Sequence, residues 1–484
     1  MLKTITLKNY KSFKDETTIE VKPLTLLCGV NSSGKSSIMK SLLMIKQSFQ
    51  NRNPRGEVTY NDKYVNNGDF KSIAFSNSDS VCIANEFVIK SDSVNDRDTY
   101  KELYRVIFGE NVKTKELKRL YKYKKNPFVL NFRIEIKNKR IINYKISLIH
   151  TGLINPINVL FYLDRDNTYH VTVKNLKLHN YSTTDQLINC KSTNTVCYFE
   201  GITITNLYAN NPPKDIDIQP VFNFITLLLK NISTQYQNSI EHIAPLRTSP
   251  SRLYVSDSSY STVGISGENA IQLLNDISEE TAYNILAPTY DVFKTNYSKY
   301  RIEDVVNSWL EYMDLGRYRI KKSDEEIIRF YIEKQSIADV GFGVSQILPI
   351  IVEGCIMKQY QTLLLEQPEI HLHPKAQMKI ADYLLSLALC KKNIIVETHS
   401  DHVINRLVRR CLEDPKLIDL ISILFLNKDD EGVTRINPIH IDQHMGIDKA
   451  PADFFDQYAA ETDMIIQKGY ENMLRDLRNK ENND

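Results

Sequence analysis

The sequence of 484 residues lacks several features that mark particular classes of protein. Its seven cysteines are scattered without a Cys-x-x-Cys pair, which argues against a zinc site and for a reducing compartment. No apolar run approaches the roughly 20 residues of a membrane-spanning helix. Heptad patterns and internal repeats are missing too, so neither long coiled-coil arms nor a repeat array is expected. We therefore expect a cytoplasmic protein without contact to a membrane.

Glycine is scarce, with 16 residues in the whole chain, yet two of them lie close together in Gly-Val-Asn-Ser-Ser-Gly-Lys-Ser-Ser at 29–37. This stretch fits Gly-x4-Gly-Lys-Ser/Thr, the phosphate-binding loop. An apolar run at 24–28 predicts a buried strand before the loop, and apolar residues at helical spacing over 36–49 predict a helix after it. The pattern therefore predicts a nucleotide site.

The chemistry of such a loop assigns roles to its residues. Backbone N–H groups and the helix N-terminus attract phosphate, Lys35 is expected to reach the β- and γ-phosphates, and the Ser36 hydroxyl to bind Mg²⁺. The residues expected to contact the nucleotide here are Gly29, Asn31, Ser33, Gly34, Lys35, Ser36 and Ser37.

A second group of candidate residues follows two later apolar strands. The magnesium ion of a phosphate loop needs a carboxylate at the end of a neighbouring strand. Three leucines at 363–365 predict such a strand, and Glu366 at its end is the expected metal ligand. The next predicted strand, at 393–396, leads to His399, which can hydrogen-bond the γ-phosphate or the attacking water.

Residues 339–345, Asp-Val-Gly-Phe-Gly-Val-Ser, precede a helix predicted over 344–360. Ser345 can cap the N-terminus of that helix, and the glycines leave its backbone accessible. Two interpretations stay open here: a plain helix cap, or an anion site formed by Gly343 and Ser345 for the nucleotide of another subunit.

Alternation of apolar strands and helices after residue 344 predicts a parallel sheet covered on both faces. Before it, the chain has a different character: a basic helical pattern at 101–125, a hairpin at 128–150, strand-like runs at 167–177 and 195–208, and a helix at 216–239. We predict four domains: an N-terminal ATPase lobe at 1–90, an α/β insertion at 91–235, a C-terminal ATPase lobe at 236–428, and a small C-terminal domain with a charged tail at 429–484.

With these motifs, the chain resembles ABC-type ATPase heads of the branch that includes the SMC and OLD (overcoming-lysogenization-defect) ATPases. The resemblance implies an α/β fold, a split P-loop ATPase head with a mixed sheet that the insertion interrupts. It also implies that two copies sandwich ATP and Mg²⁺. In this resemblance 341–345 is the signature loop, His399 the switch histidine, and Gln47 the glutamine that senses the metal and the water.

The chain is more similar still to compact bacterial ATPases that end in a small domain of unknown function. They share Leu-Glu-Gln-Pro-Glu-Ile-His-Leu-His-Pro, Glu-Thr-His-Ser-Asp-His and Phe-Phe-Asp-Gln, here at 365–374, 397–402 and 454–457. Many such relatives serve in anti-phage defence beside a separately encoded effector, which implies an effector partner here. A self-contained OLD-like nuclease and a DNA-repair or chromosome clamp are the alternatives.

The chain departs from ABC heads at Gln367, where they usually carry the glutamate that polarises the attacking water. An amide cannot accept the proton. Either Glu369 takes over this role, or Gln367 and His399 only position the water and hydrolysis is slow. The expected catalytic residues are thus Glu366, Gln367, Glu369 and His399.

Lysine and arginine dominate residues 113–140, with interleaved tyrosines and few acidic residues. This block predicts a contact surface for nucleic acid or an acidic protein. The alternative is a solvated helix face in a lysine-rich chain, and the sequence favours neither.

Overall fold

The computed structural model of the protein describes all residues except 91–96, 109–126, 165–167, 178–187, 213–216, 256–259, 290, 294, 323–325, 449, 452–453, 456 and 482–484. Two large sheets organise the described part of the chain, one of nine strands and one of six. None of the helices in these described ranges is both long and apolar enough to cross a bilayer.

The strands are β1 (Leu2–Lys8), β2 (Thr17–Glu20), β3 (Leu24–Gly29), β4 (Val81–Ile89), β5 (Phe128–Lys137), β6 (Arg140–Ile149), β7 (Ile157–Leu163), β8 (Tyr169–Leu176), β9 (Ile188–Glu200), β10 (Thr203–Asn211), β11 (Ile240–Ile243), β12 (Tyr254–Val255), β13 (Thr281–Asn284), β14 (Ser298–Arg301), β15 (Tyr318–Lys322), β16 (Ile327–Ile332), β17 (Gln335–Ser336), β18 (Thr362–Glu366), β19 (Asn393–Glu397), β20 (Ile421–Lys428), β21 (Thr434–Ile439), β22 (Ile441–Asp442) and β23 (Gly446–Ile447).

The α-helices are α1 (Lys35–Gln50), α2 (Phe70–Ile73), α3 (Arg97–Phe108), α4 (Gln219–Ser239), α5 (Ala270–Ile277), α6 (Ile302–Tyr312), α7 (Phe342–Ile356), α8 (Pro374–Leu389), α9 (Asp401–Glu413) and α10 (Gln457–Glu481). Two short 3₁₀ turns, Phe75–Asn77 and Pro415–Leu420, complete the described helical segments.

The six-stranded sheet carries the phosphate loop and has the order β11-β18-β19-β3-β20-β21. All neighbours in it are parallel except the antiparallel β20–β21 pair. Strands β3, β18 and β19 are apolar and buried along nearly their whole length, as expected of parallel strands covered on both faces. The predicted α/β fold with a split P-loop core and a mixed sheet is confirmed.

The nine-stranded sheet is antiparallel throughout and has the order β10-β9-β8-β7-β6-β5-β4-β1-β2. One of its faces packs against α1 and α4, where the rings of Phe49 and Tyr236 lie 5.2 Å apart. Because β4 pairs with both β1 and β5, the strands of the predicted insertion extend the N-terminal sheet rather than forming a separate layer. The predicted hairpin at 128–150 is confirmed as β5 and β6.

Two predicted boundaries need correction. The single strand expected at 195–208 is two strands, β9 and β10, which turn at Gly201 with φ of +61°. A Cβ atom there would lie 2.2 Å from the carbonyl oxygen of Asn51, so only glycine fits this turn. The domain boundary expected after residue 428 falls inside the β20–β21 hairpin, so the core sheet continues to Ile439.

Candidate functional site

The phosphate loop joins β3 to α1, and its shape depends on close contacts to the C-terminal half of the chain. Gly34 precedes α1 with φ of +105°. A Cβ atom on it would lie 2.7 Å from Oγ1 of Thr434 and 2.9 Å from Oγ of Ser12. The Thr434 hydroxyl donates to the carbonyl oxygen of Ser33 at 2.7 Å. The loop is therefore held by the first residue of β21 and has no room for a side chain at Gly34.

Lys35 and Ser36 open helix α1 at the end of this loop. The Lys35 ammonium donates to the carbonyl oxygens of Gly29 at 3.0 Å and Val30 at 2.8 Å. Burial lowers its pKa, and the nearby Glu397 carboxylate counteracts that effect. The Ser36 hydroxyl donates to Oε1 of Glu397 at 3.1 Å. Hydrogen bonds within the protein thus hold both side chains in place.

The loop borders a cleft of about 600 Å³. Predicted site residues that line it are Asn31, Ser33, Gly34, Lys35, Ser36, Ser37, Gln367 and His399. Lining residues that sequence reasoning missed include Lys11, Lys40, Glu397 and Lys428. Four lysines thus face one carboxylate among the described lining residues. A cleft with this excess of positive charge attracts a polyanion such as a triphosphate.

The order of the strands decides which acidic residue lies beside the phosphate-loop strand. Strand β19, not β18, is the neighbour of β3, and it places Glu397 in register beside Glu366. Glu397 contacts Ser36, whereas Oε1 of Glu366 lies 2.8 Å from Nε2 of His242 on β11. The expectation that Glu366 ends the strand next to the phosphate loop is therefore wrong, because one strand separates the two.

Glu369 lies beneath His399 rather than on the cleft surface. Its Oε1 accepts the backbone N–H of His399 at 2.6 Å, and burial raises the pKa of its carboxyl. Burial and the charge of Lys35 lower the pKa of His399, which favours the neutral imidazole. In this arrangement Glu369 positions His399.

Arg247 is a buried cation that follows β11, the strand on the far side of β18 from β3. One of its nitrogens, Nη2, donates to the carbonyl oxygen of Glu366 at 2.9 Å. Its Nε and Nη1 have no hydrogen-bond partner among the described residues, and burial lowers its pKa to about 10. This cation therefore fixes the turn that follows β18, which carries Gln367 into the cleft.

Gln47 is not at the cleft, contrary to the expectation that it senses the metal. Its Nε2 donates to the carbonyl oxygen of Thr59 at 2.8 Å, and its Oε1 accepts the N–H of Val65 at 3.2 Å. Gln47 follows Lys35 by 12 residues of one helix, or about 18 Å along its axis. The structure gives this buried amide a role in holding residues 58–65.

The signature-like loop precedes α7, which begins at Phe342 and not at Val344 as predicted. Gly341 occupies the cap position, and the Ser345 hydroxyl donates within the helix to the carbonyl oxygen of Phe342 at 2.8 Å. The expectation that Ser345 caps the helix is wrong because the helix starts three residues earlier. Phe342 is 58% exposed and Ser345 is buried, so the accessible part of the loop is its backbone at 341–343.

Half of the basic block at 113–140 lies outside the described residues, since 109–126 are not among them. Arg133 of this block is described and makes two hydrogen bonds to Glu16, at 2.9 and 2.7 Å. Its charge is therefore engaged within the chain, and the interpretation of the block as a contact surface stays a prediction.

The residues at the cleft suit a magnesium ion bound with a phosphate ligand. Within the described ranges, no group of three or more His, Cys, Asp or Glu side chains could hold a metal ion. Mg²⁺ usually binds through one or two carboxylates together with substrate phosphates and water. Ser36 and Glu397 offer a hydroxyl and a carboxylate 3.1 Å apart, and Oε2 of Glu397 is buried without a hydrogen-bond partner in the described part. This donor set fits the ion.

One comparison with known proteins, that with family profiles, agrees with a nucleotide site. A family profile described as "AAA ATPase domain" matches residues 1–404. Three solved structures are similar to the chain. An SMC head bound to the C-winged helix domain of ScpA is 11% identical over 92% of this chain and 99% of that chain, with a TM-score of 0.41. The SMC head domain from Thermotoga maritima is 12% identical over 91% and 99%, with a TM-score of 0.37. A Smc head with an extended coiled coil, bound to the C-terminal domain of ScpA from Pyrococcus furiosus, is 12% identical over 92% and 97%, with a TM-score of 0.40. No curated protein matches the chain.

Proposed function

The chain belongs to the AAA ATPase domain family, and from this premise we propose that it is a Mg²⁺-dependent ATPase whose ATP-closed dimer gates a separate effector protein. The observation that carries the proposal is the cleft itself. One positively charged space is lined by two distant parts of the chain: phosphate-loop residues 31–37, and Gln367, Glu397 and His399. A triphosphate bound there contacts both halves of the chain.

Different residues of the cleft bind the nucleotide and promote its hydrolysis. Backbone N–H groups of the loop and the N-terminus of α1 bind the phosphates, and Lys35 neutralises the β- and γ-phosphate charge. Bound Mg²⁺ would offset the charge that develops on the transferred phosphoryl group. His399 and Gln367 orient the attacking water. The amide of Gln367 cannot accept the proton, and Glu369 is bonded to the N–H of His399 and does not line the cleft. Hydrolysis is therefore slow and the ATP-bound state is long-lived.

The dimer is proposed from the exposed start of α7. The backbone at 341–343 is accessible, and the N–H groups of a helix N-terminus bind anions. We expect the γ-phosphate of one subunit to meet Gly343 and the helix start of its partner, with Ser345 reached only if its hydroxyl leaves the carbonyl of Phe342. Two copies would then enclose two nucleotides.

The biological role follows from the resemblance of the sequence to compact bacterial ATPases of anti-phage defence. We propose that the protein is the cytoplasmic sensor or scaffold subunit of such a system, which holds or releases an effector according to its nucleotide state. A slow ATPase suits this role better than that of a motor, because its conformation persists for as long as ATP stays bound.

Measurement of mass in solution, with and without ATP and Mg²⁺, tests the proposal. Wild-type protein should shift from monomer to dimer with ATP, and Lys35→Ala should stay monomeric. A hydrolysis assay on the same samples should give slow turnover that Lys35→Ala abolishes. An unchanged mass in ATP would refute the dimer, and metal-dependent DNA cleavage by the pure chain would establish a self-contained nuclease instead.

A further inference from the structure

A second cavity, of about 830 Å³, lies beside the nucleotide cleft. It is lined by residues that follow α1, by residues 57–61 and 68–79, and by the β5–β6 turn at 137–139. Its volume is within the range of about 300–1,000 Å³ that small-molecule sites occupy. We propose that this cavity binds a purine nucleoside, and that residues 68–79, the shared wall, couple its occupancy to nucleotide binding in the cleft. The site stands apart from the proposed function, and only its coupling to the cleft rests on that function.

Hydrogen bonds between the lining segments fix the walls of the cavity. The N–H of Val58 donates to the carbonyl oxygen of Lys139 at 2.8 Å, which joins residues 57–61 to the β5–β6 turn. The side-chain amide of Asn61 makes two hydrogen bonds, each of 2.8 Å, to the backbone of Gly68. The cavity is therefore bounded by segments that are bonded to one another.

Tyr60 lines the cavity and carries a hydroxyl without a partner. The residue is 5% exposed, and its hydroxyl makes no hydrogen bond to any described residue. Burial, followed by the charge of Asp69, raises the pKa of this hydroxyl, which therefore keeps its proton. Buried donors are nearly always satisfied by protein, water or a ligand, because an unpaired one is costly. An acceptor atom of a bound ligand would satisfy this donor.

The charges and amides of the lining indicate the chemistry of the ligand. The lining carries both signs of charge in equal number: Lys71, Lys137, Lys139, Glu57, Asp69 and Asp79. A polyanion is therefore not favoured, in contrast to the cleft with its excess of lysines. The amides of Asn77 and Asn138 also line the cavity and are not hydrogen-bonded within the described part of the chain. An asparagine amide pairs with the N6 and N7 edge of adenine, so an uncharged purine nucleoside fits this lining.

The shared wall contributes residues to both spaces. Residues 68–71 and 77–79 line the cavity, Ser72, Phe75 and Ser76 line the cleft, and Ala74 borders both. Helix α2 and the 3₁₀ turn at 75–77 make up most of this wall. A ligand that presses on one side of it therefore acts on residues of the other side.

Two further features connect the cavity to the cleft. Lys11, which lines the cleft, donates from Nζ to Oδ1 of Asn67 at 2.8 Å, and the N–H of Asn67 donates to the carbonyl oxygen of Tyr60 at 3.1 Å. Ser76 and Asn77 have φ of +42° and +59°, left-handed values that are unfavourable for residues with a side chain. A ligand in the cavity would support this strained turn, so we expect it to tighten nucleotide binding.

Equilibrium dialysis of the full-length protein against radiolabelled adenosine tests the site. The protein is first saturated with Mg²⁺ and a non-hydrolysable ATP analogue, so that the cleft is occupied. Wild type should then bind adenosine in a one-to-one ratio, and further analogue should not displace it. Displacement by the analogue, or no binding at millimolar adenosine, would overturn the proposal. Ribose and glycylglycine probe a sugar and a zwitterion, and competition by either as strong as that by unlabelled adenosine would overturn the assignment to a nucleoside.

Two variants locate the bound adenosine. Tyr60→Phe removes only the unpartnered hydroxyl, so it should weaken adenosine binding at least tenfold and leave the melting temperature and the affinity for the ATP analogue unchanged. Asp79→Trp changes an exposed residue and fills the cavity, so it should abolish adenosine binding. The matched control Asp98→Trp, at a side chain that is 95% exposed and lines neither space, should bind adenosine as wild type does. Wild-type affinity in both Tyr60→Phe and Asp79→Trp would overturn the proposal.

The coupling is measured on the same samples by calorimetric titration. Saturating adenosine should tighten binding of the ATP analogue at least threefold, and saturating analogue should tighten adenosine binding by the same factor, because coupling between two sites is reciprocal. Unchanged or weakened affinities would overturn the coupling. If wild type binds adenosine in the cavity but no ATP analogue anywhere, the proposed function fails while the nucleoside site stands.

Discussion

Replacing Glu353 by glutamine should make the protein less sensitive to alkaline pH. Glu353 lies in α7, is 2% exposed, and accepts the backbone N–H of Val263 at 3.1 Å. Burial raises the pKa of its carboxyl from the ordinary 4.5 to about 8. The charge of Glu241 raises this pKa further, while the Val263 N–H, Lys46 and Lys392 lower it.

The sign of the effect follows from the raised pKa. Between pH 4.5 and about 8 the folded state binds a proton at Glu353 that the unfolded state has lost. The contribution of this carboxyl to stability is therefore complete below the lower value and is lost as pH rises through the higher one. Integrating the linkage relation gives a loss of about 3 kcal/mol between pH 5 and pH 8. Glutamine keeps an acceptor for the Val263 N–H but does not titrate.

Urea unfolding of wild type and Glu353→Gln, each at pH 5 and pH 8, measures this loss. The stability of the variant relative to wild type should rise by about 3 kcal/mol from the lower to the higher pH, and the double difference cancels every other titrating group. Wild type should also show a protonated carboxyl stretch in the infrared at pH 7 that the variant lacks. A stability difference that is constant with pH, or that shrinks toward pH 8, would refute the reasoning.

Three further predictions concern the nucleotide site. Gly34→Ala should weaken ATP binding at least a hundredfold, because its Cβ would lie 2.7 Å from a hydroxyl oxygen. The control variant Gly469→Ala, whose Cβ would meet open space, should bind ATP as wild type does. Calorimetric titration with ATP compares the two variants. Gln367→Glu should raise kcat at least tenfold by restoring a general base, since general-base catalysis typically accelerates a reaction about 10²–10⁴-fold. An unchanged kcat in phosphate-release assays would show that residue 367 takes no part in the chemistry. Gln47→Leu should cost about 1–3 kcal/mol of stability, because it leaves the Val65 N–H unpaired, yet keep the ATP dissociation constant within twofold. A large loss of ATP affinity in that variant would restore Gln47 to the site.

Local patterns predict the elements around the phosphate loop well. Strand β3, helix α1 and the loop between them lie where apolar spacing and Gly-x4-Gly-Lys-Ser place them. The β5–β6 hairpin also follows from alternation about a turn, where Asn138 has φ of +54°. These features depend on interactions between residues close together in the chain.

The assignment of the acidic residues depends on the order of strands, which no local pattern encodes. Glu397 reaches Ser36 because β19 lies between β3 and β18, and the sequence of each strand is equally apolar. Lys428 reaches the cleft for the same reason, because it ends β20, the other neighbour of β3. The start of α7 was missed because Gly341 and Phe342 give weaker boundary signals than Ser345, which is a good cap residue in isolation.

Strand β3 also governs when the protein can fold during synthesis. Both of its neighbours, β19 and β20, come from the last quarter of the chain and are synthesised about 370 and about 400 residues after β3. Until they emerge, an apolar strand with two open edges is available for pairing with other chains, which is a hazard for aggregation. A nascent chain or a fragment that stops before residue 393 should therefore need a chaperone to keep β3 covered.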